Sequence, residues 1–404
     1  CLHMHHLGHC PDCLVEGNAI EYAIEKGVTV HDTHSSLVHA NVIWNLKGAG
    51  VYVEDGNEMN NTISENVVLC GDMPKHECKI PHAQHASGVG LYVIGMRNNY
   101  LRNRAAGFET GIYTNGGSNG IGTAAGLACP IHTPFLRFEG NVMHDCRRWG
   151  LYLGNQMARN VVQDADGFVR DRSTCSEFDA YGNDNGATPV SVVADEFDWQ
   201  VGASGLYALR DIQWLRYVGI NNGAAVYWKT SKVMADGSPH IKDSIIGRKS
   251  GLYPGSHAGS GHMMGPSGSF TFLVDNVTFV REEGDAGSPL IKIGQHCGLS
   301  GHNGGVEGQM CAVQYFLRNM DWSLVDGNHQ RIQFGVSGGN PITPIVTAAD
   351  GSLDGAQSLI SPLLNGFASL DGCASTGKRW SYATACEQRA RRLNIFGHPP
   401  PNAE

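Results

Sequence analysis

Two stretches decide the fold: Asn18-Ala-Ile-Glu-Tyr-Ala-Ile-Glu-Lys-Gly27-Val-Thr-Val30 and Asn41-Val-Ile-Trp-Asn-Leu-Lys-Gly-Ala-Gly50-Val-Tyr-Val53. Each sets an Asn nine residues before a Gly that opens an apolar-x-apolar strand, and the two copies are offset by 23 residues throughout. Asn141-Val-Met-His-Asp-Cys-Arg-Arg-Trp-Gly150-Leu-Tyr-Leu153 repeats the pattern, with weaker echoes at Asn66, Gly90, Gly111, Gly223 and Asp275. A fixed period of this length is the mark of a solenoid, in which no repeat can bury its apolar face alone. Within each strand Val28, Val30, Val51 and Val53 alternate with other residues, so the apolar set points inward at period two. Asn at a coil corner can bond the backbone of neighbouring coils, and Gly is expected to supply the left-handed turn beside it. A Leu ladder with helical connections, which a leucine-rich repeat requires, is missing. The expected fold is all-β: a right-handed parallel β-helix over residues 1–335, with long insertions at Cys70–His85 and Gly116–His132. Beyond about Gly335 the period is lost, and a small β-rich C-terminal cap with an extended tail is expected over residues 336–404. One helical turn or two is expected at Thr384–Leu393, where Thr384 and Glu387 stand at capping-box spacing.

Composition agrees with short strands and tight turns. Of 404 residues 53 are Gly, and charged residues reach only 17 %, against an ordinary Gly usage of about 7 %. No collagen-like period is present, and 16 Pro are too few for a Pro-rich linker. Lys and Arg number 29 against 38 Asp and Glu, a net charge of −9, so there is no electrostatic footprint for nucleic acid or an anionic membrane. No run of 18 apolar residues exists to span a bilayer. The chain starts at Cys1 without a signal-peptide core, and it reads as a processed chain or a piece of a longer one. Twelve cysteines, several close in sequence, together with sequons at Asn60 and Asn276, favour an extracellular or cell-surface setting. Cys10-Pro-Asp-Cys13 lacks a second pair at zinc-site spacing and is expected to form a disulfide.

Stacking the first three coils aligns Leu2-His3-Met4-His5 with Val28-Thr29-Val30-His31 and Val51-Tyr52-Val53-Glu54. His5, His31 and Glu54 then share one outward column, with His3, His6, His34 and Asp55 close by. Imidazoles and a carboxylate a few ångström apart are a ligand set for a divalent metal ion such as zinc, copper or calcium. His3, His5 and His31 are the metal candidates, and Glu54, Asp55 and His34 the candidates for acid–base catalysis. The alternative is a ladder of like residues bonding along the stack. The same register builds a second column of Tyr52, Tyr92, Tyr113 and Tyr152, whose faces suit sugar rings if exposed. If insertions cover them, they form a lateral core instead, and that reading is favoured.

The strings His3-Met-His5, Val28-Thr-Val-His31-Asp-Thr-His34 and Val53-Glu-Asp-Gly-Asn-Glu58-Met-Asn-Asn61-Thr62 resemble the β-helix core of the cell-surface hyaluronidase family, which includes the cell-migration-inducing, hyaluronan-binding protein. Related segments occur in fibrocystin-like proteins. The resemblance is densest over residues 2–70 and departs from the family at Met4, where an aromatic is usual, and at Asp32, where Gly is usual. It implies an extracellular right-handed β-helix and, for some members, endo-cleavage of hyaluronan; the family's G8 domain, which precedes the β-helix, is not found at the start of this chain. Two functional expectations follow. The first is an extracellular module of a larger surface or matrix protein, structural or adhesive, with polysaccharide, glycoprotein, copies of itself or matrix proteins as partners. The alternative is a metal-assisted glycosidase or depolymerase acting on a hyaluronan-like polysaccharide.

Overall fold

The computed structural model describes the chain except for residues 72–77, 79–87, 116–119, 123–124, 127, 131–132, 155–164, 166–190, 209–211, 229, 232–237, 250–260, 267, 270, 282–286, 294–313, 328, 338–339, 342–343, 363–370 and 391–404. The first coil is β1 (Leu2–His9), β2 (Leu14–Glu16) and β3 (Ala19–Glu21). The second is β4 (Val28–His34), β5 (Leu37–His39) and β6 (Val42–Trp44), and the third β7 (Ala49–Val53), β8 (Thr62–Ser64) and β9 (Val67–Leu69). Equivalent strands pair in parallel from coil to coil, β1 with β4 and β4 with β7, and likewise along the other two faces. The sheet begun by β1 runs to eleven strands and ends at Ile332–Phe334. The chain is a right-handed parallel β-helix.

One inward column shows what holds the coils together. Val28, Val51, Leu91, Ile112, Leu151, Leu206, Val226, Met263, Ile291 and Ile332 stand in register. None is more than 1 % exposed, and each buried side chain of this size stabilises by about 1.5–3 kcal/mol. Along one corner a ladder of Asn41, Asn66, Asn103 and Asn141 continues from Asn18, each side chain bonding the next at 2.9 to 3.1 Å. Each of Asn41, Asn66, Asn103 and Asn141 also donates to a backbone carbonyl of the preceding coil. The ladder satisfies backbone groups that a sharp corner would otherwise leave buried without partners.

The glycines divide between two roles. The left-handed residue immediately before the ladder position is the expected glycine at Gly17 and Gly140, with φ 65° and 71°, but Ala40, Glu65, Arg102, Asp195 or Arg216 in other coils, with φ between 52° and 56°. Gly27, Gly50, Gly90, Gly111 and Gly150 do not have positive φ. They are required by crowding: a Cβ on any of them would lie 2.5 to 2.7 Å from the carbonyl oxygen of the glycine in the next coil. Gly90 would also drive its Cβ to 2.6 Å from that of Ala105. A Gly90→Ala chain is therefore expected to lose about 1–3 kcal/mol by overpacking, read as a lower urea midpoint; an unchanged midpoint contradicts the close-approach explanation.

Beyond Gly335 the pairing changes sense. Ile345–Thr347 still pairs in parallel with Gln314–Arg318, but Ser358–Ile360, Cys373–Ser375 and Thr384–Cys386 pair antiparallel, joined by the Cys373–Cys386 disulfide. The expected helical turn at Thr384 is thus a strand at its start, because the disulfide and sheet pairing outweigh a capping motif. Its remainder from residue 391, and the Pro399–Pro401 tail, lie outside the described residues. Among the described residues a 3-10 turn lies at Lys378–Trp380, and no helix is long and apolar enough to cross a membrane. Cys10–Cys13 and Cys70–Cys78 are disulfides, so the CxxC is not a metal site. Asn60 and Asn276, the two sequon asparagines, are exposed.

Candidate functional site

The expected histidine column forms at the open end of the eleven-stranded sheet. His5 pairs with His31 across β1 and β4, while His3 pairs with Thr29. The rings lie close: His3 to His5 4.9 Å, His5 to His31 4.7 Å and His3 to His31 5.7 Å between centroids. The nearest ligand atoms of these three side chains all fall within 4.8 Å of one another. Burial and the neighbouring His5 hold the His3 imidazole below its ordinary pKa.

Below this trio sits a carboxylate pair from the end of β7. His31 Nε2 is 3.0 Å from Asp55 Oδ2, and His31 Nδ1 is 3.8 Å from Glu54 Oε2. The Asp55 side chain is only 2 % exposed. Its loop is fixed from behind by Glu58, which accepts the Asp55 and Gly56 N–H groups at 2.7 and 2.8 Å. Burial pushes the Glu58 carboxyl up to about 7, against those same hydrogen bonds. Ile121 N–H closes on the Asp55 carbonyl at 2.8 Å, so a distant segment covers the carboxylate from the other side.

A bulge positions the remaining groups. Between His5 and Gly8 the register of β1 slips by one residue against β4, and His6 takes φ 53°. Asp32, opposite, takes φ 43°. This is the position where the resembled family tends to have Gly, the residue that adopts such a φ at least cost. The strain is offset because His6 Nδ1 meets Asp32 Oδ2 at 3.0 Å and Asn57 Nδ2 donates to Asp32 Oδ1 at 2.8 Å. Although burial acts in the opposite direction, these bonds hold the Asp32 carboxyl below its ordinary pKa. His34 turns toward Asp32, with Nε2 3.8 Å from Oδ1, and its Nδ1 accepts the Met59 N–H at 3.2 Å. His34 therefore does not line the groove that contains the other candidates.

That groove has a volume of about 670 Å³. One wall carries His3, His5, His31 and Glu54; the other is the chain from Glu21 to Lys26. The second wall had no motif to announce it, since it is the exposed edge of the first coil. Tyr22 there is 65 % exposed, and Lys26 Nζ lies 4.0 Å above the Tyr52 ring.

The tyrosine column also forms and extends further than expected. Tyr52, Tyr92, Tyr113, Tyr152, Tyr207 and Tyr227 stack in register with ring centroids 4.7 to 5.3 Å apart. Tyr52 and Tyr92 are only 8 % and 4 % exposed, and they pack with Ala49, Val89 and Ile94 as a lateral core. Tyr207 and Tyr227 are likewise buried, packed with Met264, so the favoured reading of this column as lateral core describes these four. Tyr113 and Tyr152 are partly exposed.

Fold and groove together define the class: a parallel β-helix with a histidine–carboxylate groove on its first three coils. Residues 1–151, which contain every residue of that groove, match the family model described as CEMIP beta-helix. Over 69 residues the chain is 38 % identical to Fibrocystin-L of Homo sapiens, a stretch that is 17 % of this chain and 2 % of that protein. Against Fibrocystin-L of Mus musculus it is 26 % identical over 156 residues, 38 % of this chain and 4 % of that protein. The chain thus matches only a few per cent of the length of these curated relatives.

Proposed function

We propose that this chain is a glycan-binding β-helix module of a larger extracellular protein, and that polysaccharide enters the histidine groove. The observation that carries this reading is the convergence of His3, His5, His31 and Glu54 on one open groove, with Asp55 buried behind His31. A solenoid needs only apolar inward positions and corner hydrogen bonds; nothing in coil packing calls for three imidazoles and a carboxylate on one outer wall. Tyr22 on the rim of the groove offers an exposed ring face.

Binding is tested by titrating the chain with hyaluronan and chondroitin oligosaccharides. His31→Gln and Glu54→Gln are each expected to weaken binding by about tenfold or more, the loss of one or two charged hydrogen bonds. Equal binding by both variants sinks the proposal.

A second reading, depolymerisation, is favoured by one contact: the 3.0 Å approach of His31 Nε2 to Asp55 Oδ2. A buried carboxylate orients an imidazole and fixes which nitrogen carries the proton. Glu54, facing the other ring nitrogen, is then the carboxyl group open to a glycosidic oxygen. Shortening of polymeric hyaluronan on a sizing column, lost in Asp55→Asn, supports it; unchanged chain length over a long incubation excludes it.

A further inference from the structure

The histidine trio holds a third kind of information, independent of whether a glycan binds. His3 and His5 come from one strand and His31 from the next, at positions fixed by the parallel register. Their ligand atoms already lie within 4.8 Å of one another. Two ligands on one tetrahedral zinc, each bonded at roughly 2.0–2.1 Å, stand about 3.3 Å apart. His3 and His5 are exposed, so rotation about their side-chain bonds can close that difference without moving the sheet.

The decisive feature is behind His31. Its Nε2 faces Asp55 and its Nδ1 faces the groove and Glu54. With Nε2–H donated to a buried carboxylate, the ring is held in the tautomer whose Nδ1 lone pair points outward. A carboxylate bonded to the far nitrogen of a ligating histidine is the usual outer layer of a protein zinc site. Asp55 is in turn fixed, its own N–H held by Glu58 and its carbonyl by Ile121. His6 is engaged with Asp32 and stays outside the set.

We infer that His3, His5 and His31 bind one divalent transition-metal ion of the zinc class, with Asp55 as the orienting partner of His31 and Glu54 beside the remaining coordination position. The donors are imidazole nitrogens, which suit zinc or copper; calcium takes oxygen ligands and is not accommodated by this trio. Three protein ligands with a further position open to water or a carboxylate is the pattern of a reactive rather than a purely structural zinc site.

The test uses the full chain after dialysis against a chelator, titrated separately with zinc, copper and calcium in a calorimeter. One equivalent of zinc or copper and no calcium binding is expected. Asp55→Asn, which removes no ligand, is expected to weaken the site by roughly 10–100-fold. His3→Ala and His5→Ala, both at exposed positions that leave the core intact, should weaken it more than Asp55→Asn does. Cobalt gives an independent reading, since tetrahedral nitrogen ligation produces intense ligand-field absorption bands that must vanish in His31→Gln. Substoichiometric binding, preference for calcium, or affinity unmoved by Asp55→Asn overturns the inference; the last would reduce the site to adventitious capture by surface imidazoles. Failure of glycan binding with metal binding intact refutes only the proposed function.

Discussion

Replacing Asn103 by alanine is expected to remove about 3–5 kcal/mol of stability, enough to open the solenoid near its fourth coil. Asn103 is fully buried, and its side chain makes four hydrogen bonds. Its Nδ2 donates to the Ile63 carbonyl at 2.9 Å and to Asn141 Oδ1 at 3.1 Å. Its Oδ1 accepts from Asn66 N and Nδ2 at 3.2 and 2.9 Å. Alanine leaves the Asn66 N–H and one Asn66 Nδ2 hydrogen without this partner, and the bond to the Ile63 carbonyl unmade, on the preceding coil in a fully buried site, while Asn141 Oδ1 keeps the residue-103 backbone N–H at 3.0 Å. Each buried unsatisfied group costs about 1–3 kcal/mol, with incomplete additivity because the ladder relaxes as a unit. Chemical denaturation measures the loss, and a change under about 1 kcal/mol would contradict the ladder as a stabilising element.

Glu196→Gln should raise stability at neutral pH. Glu196 occupies the ladder position one coil beyond Asn141, and its Oε1 accepts from Asn141 Nδ2 at 3.0 Å. Two residues on, Asp198 stands in an inward column between Met143 and Gly219, where other coils place Ile43, Val68 and Ala105. Both carboxyls are fully buried, and burial pushes both well above the ordinary carboxylate range, against the Asn141 hydrogen bond at Glu196. The neighbouring groups offset this only in part: Asp195 adds like charge at Glu196, while at Asp198 a hydrogen bond from the Tyr217 hydroxyl acts against burial without overcoming it. In the folded chain these carboxyls keep their protons at pH values where the unfolded chain has released them. The native state then binds more protons, so stability is fully present below about pH 4 and falls as pH rises toward the folded-state pKa. The slope is up to about 1.4 kcal/mol per pH unit for each group. Glutamine keeps the acceptor for Asn141 and cannot ionise, so it removes one share of that slope. Melting temperatures between pH 4 and pH 8 should diverge, with the variant gaining on the parent as pH rises. Parallel curves would mean that Glu196 is ionised in the folded chain.

Much of the site could be read in the repeats because a parallel solenoid converts sequence period directly into proximity. Once Val28 aligned with Val51, His5, His31 and Glu54 had to share a column at inter-strand spacing. Reading the tyrosines worked for the same reason, and their extension to Tyr207 and Tyr227 follows the same register. The repeated glycines from Gly27 to Gly150 were located correctly but given the wrong cause, because a pattern marks a constrained position without saying whether torsion or contact constrains it. Left-handed corners fall on Gly17 and Gly140 as expected, but elsewhere on residues such as Glu65 and Arg102, which also pair across the coils at 2.7 Å.

What escaped the sequence depends on the third dimension. The bulge that turns His6 onto Asp32 is a slip of one residue, and no residue type announces it. His34 was grouped with His31 by proximity in the chain, yet the bend at Asp32 and the Met59 N–H turn it away from the groove. Glu58 was visible as part of a motif, but its role in holding the Asp55 loop arises only from burial.

By itself the sequence determined the parallel β-helix and the membership of its columns, because a fixed inter-strand spacing along the stack leaves the period no other solution. Which members stay open to a ligand was decided by tertiary structure. Segments remote in the chain cover Asp55 and neighbouring rings close over Tyr92, while His3 and His5 remain open. Burial, tautomer and charge are properties of everything that surrounds a side chain, and a period of 23 residues specifies only what lies above and below it.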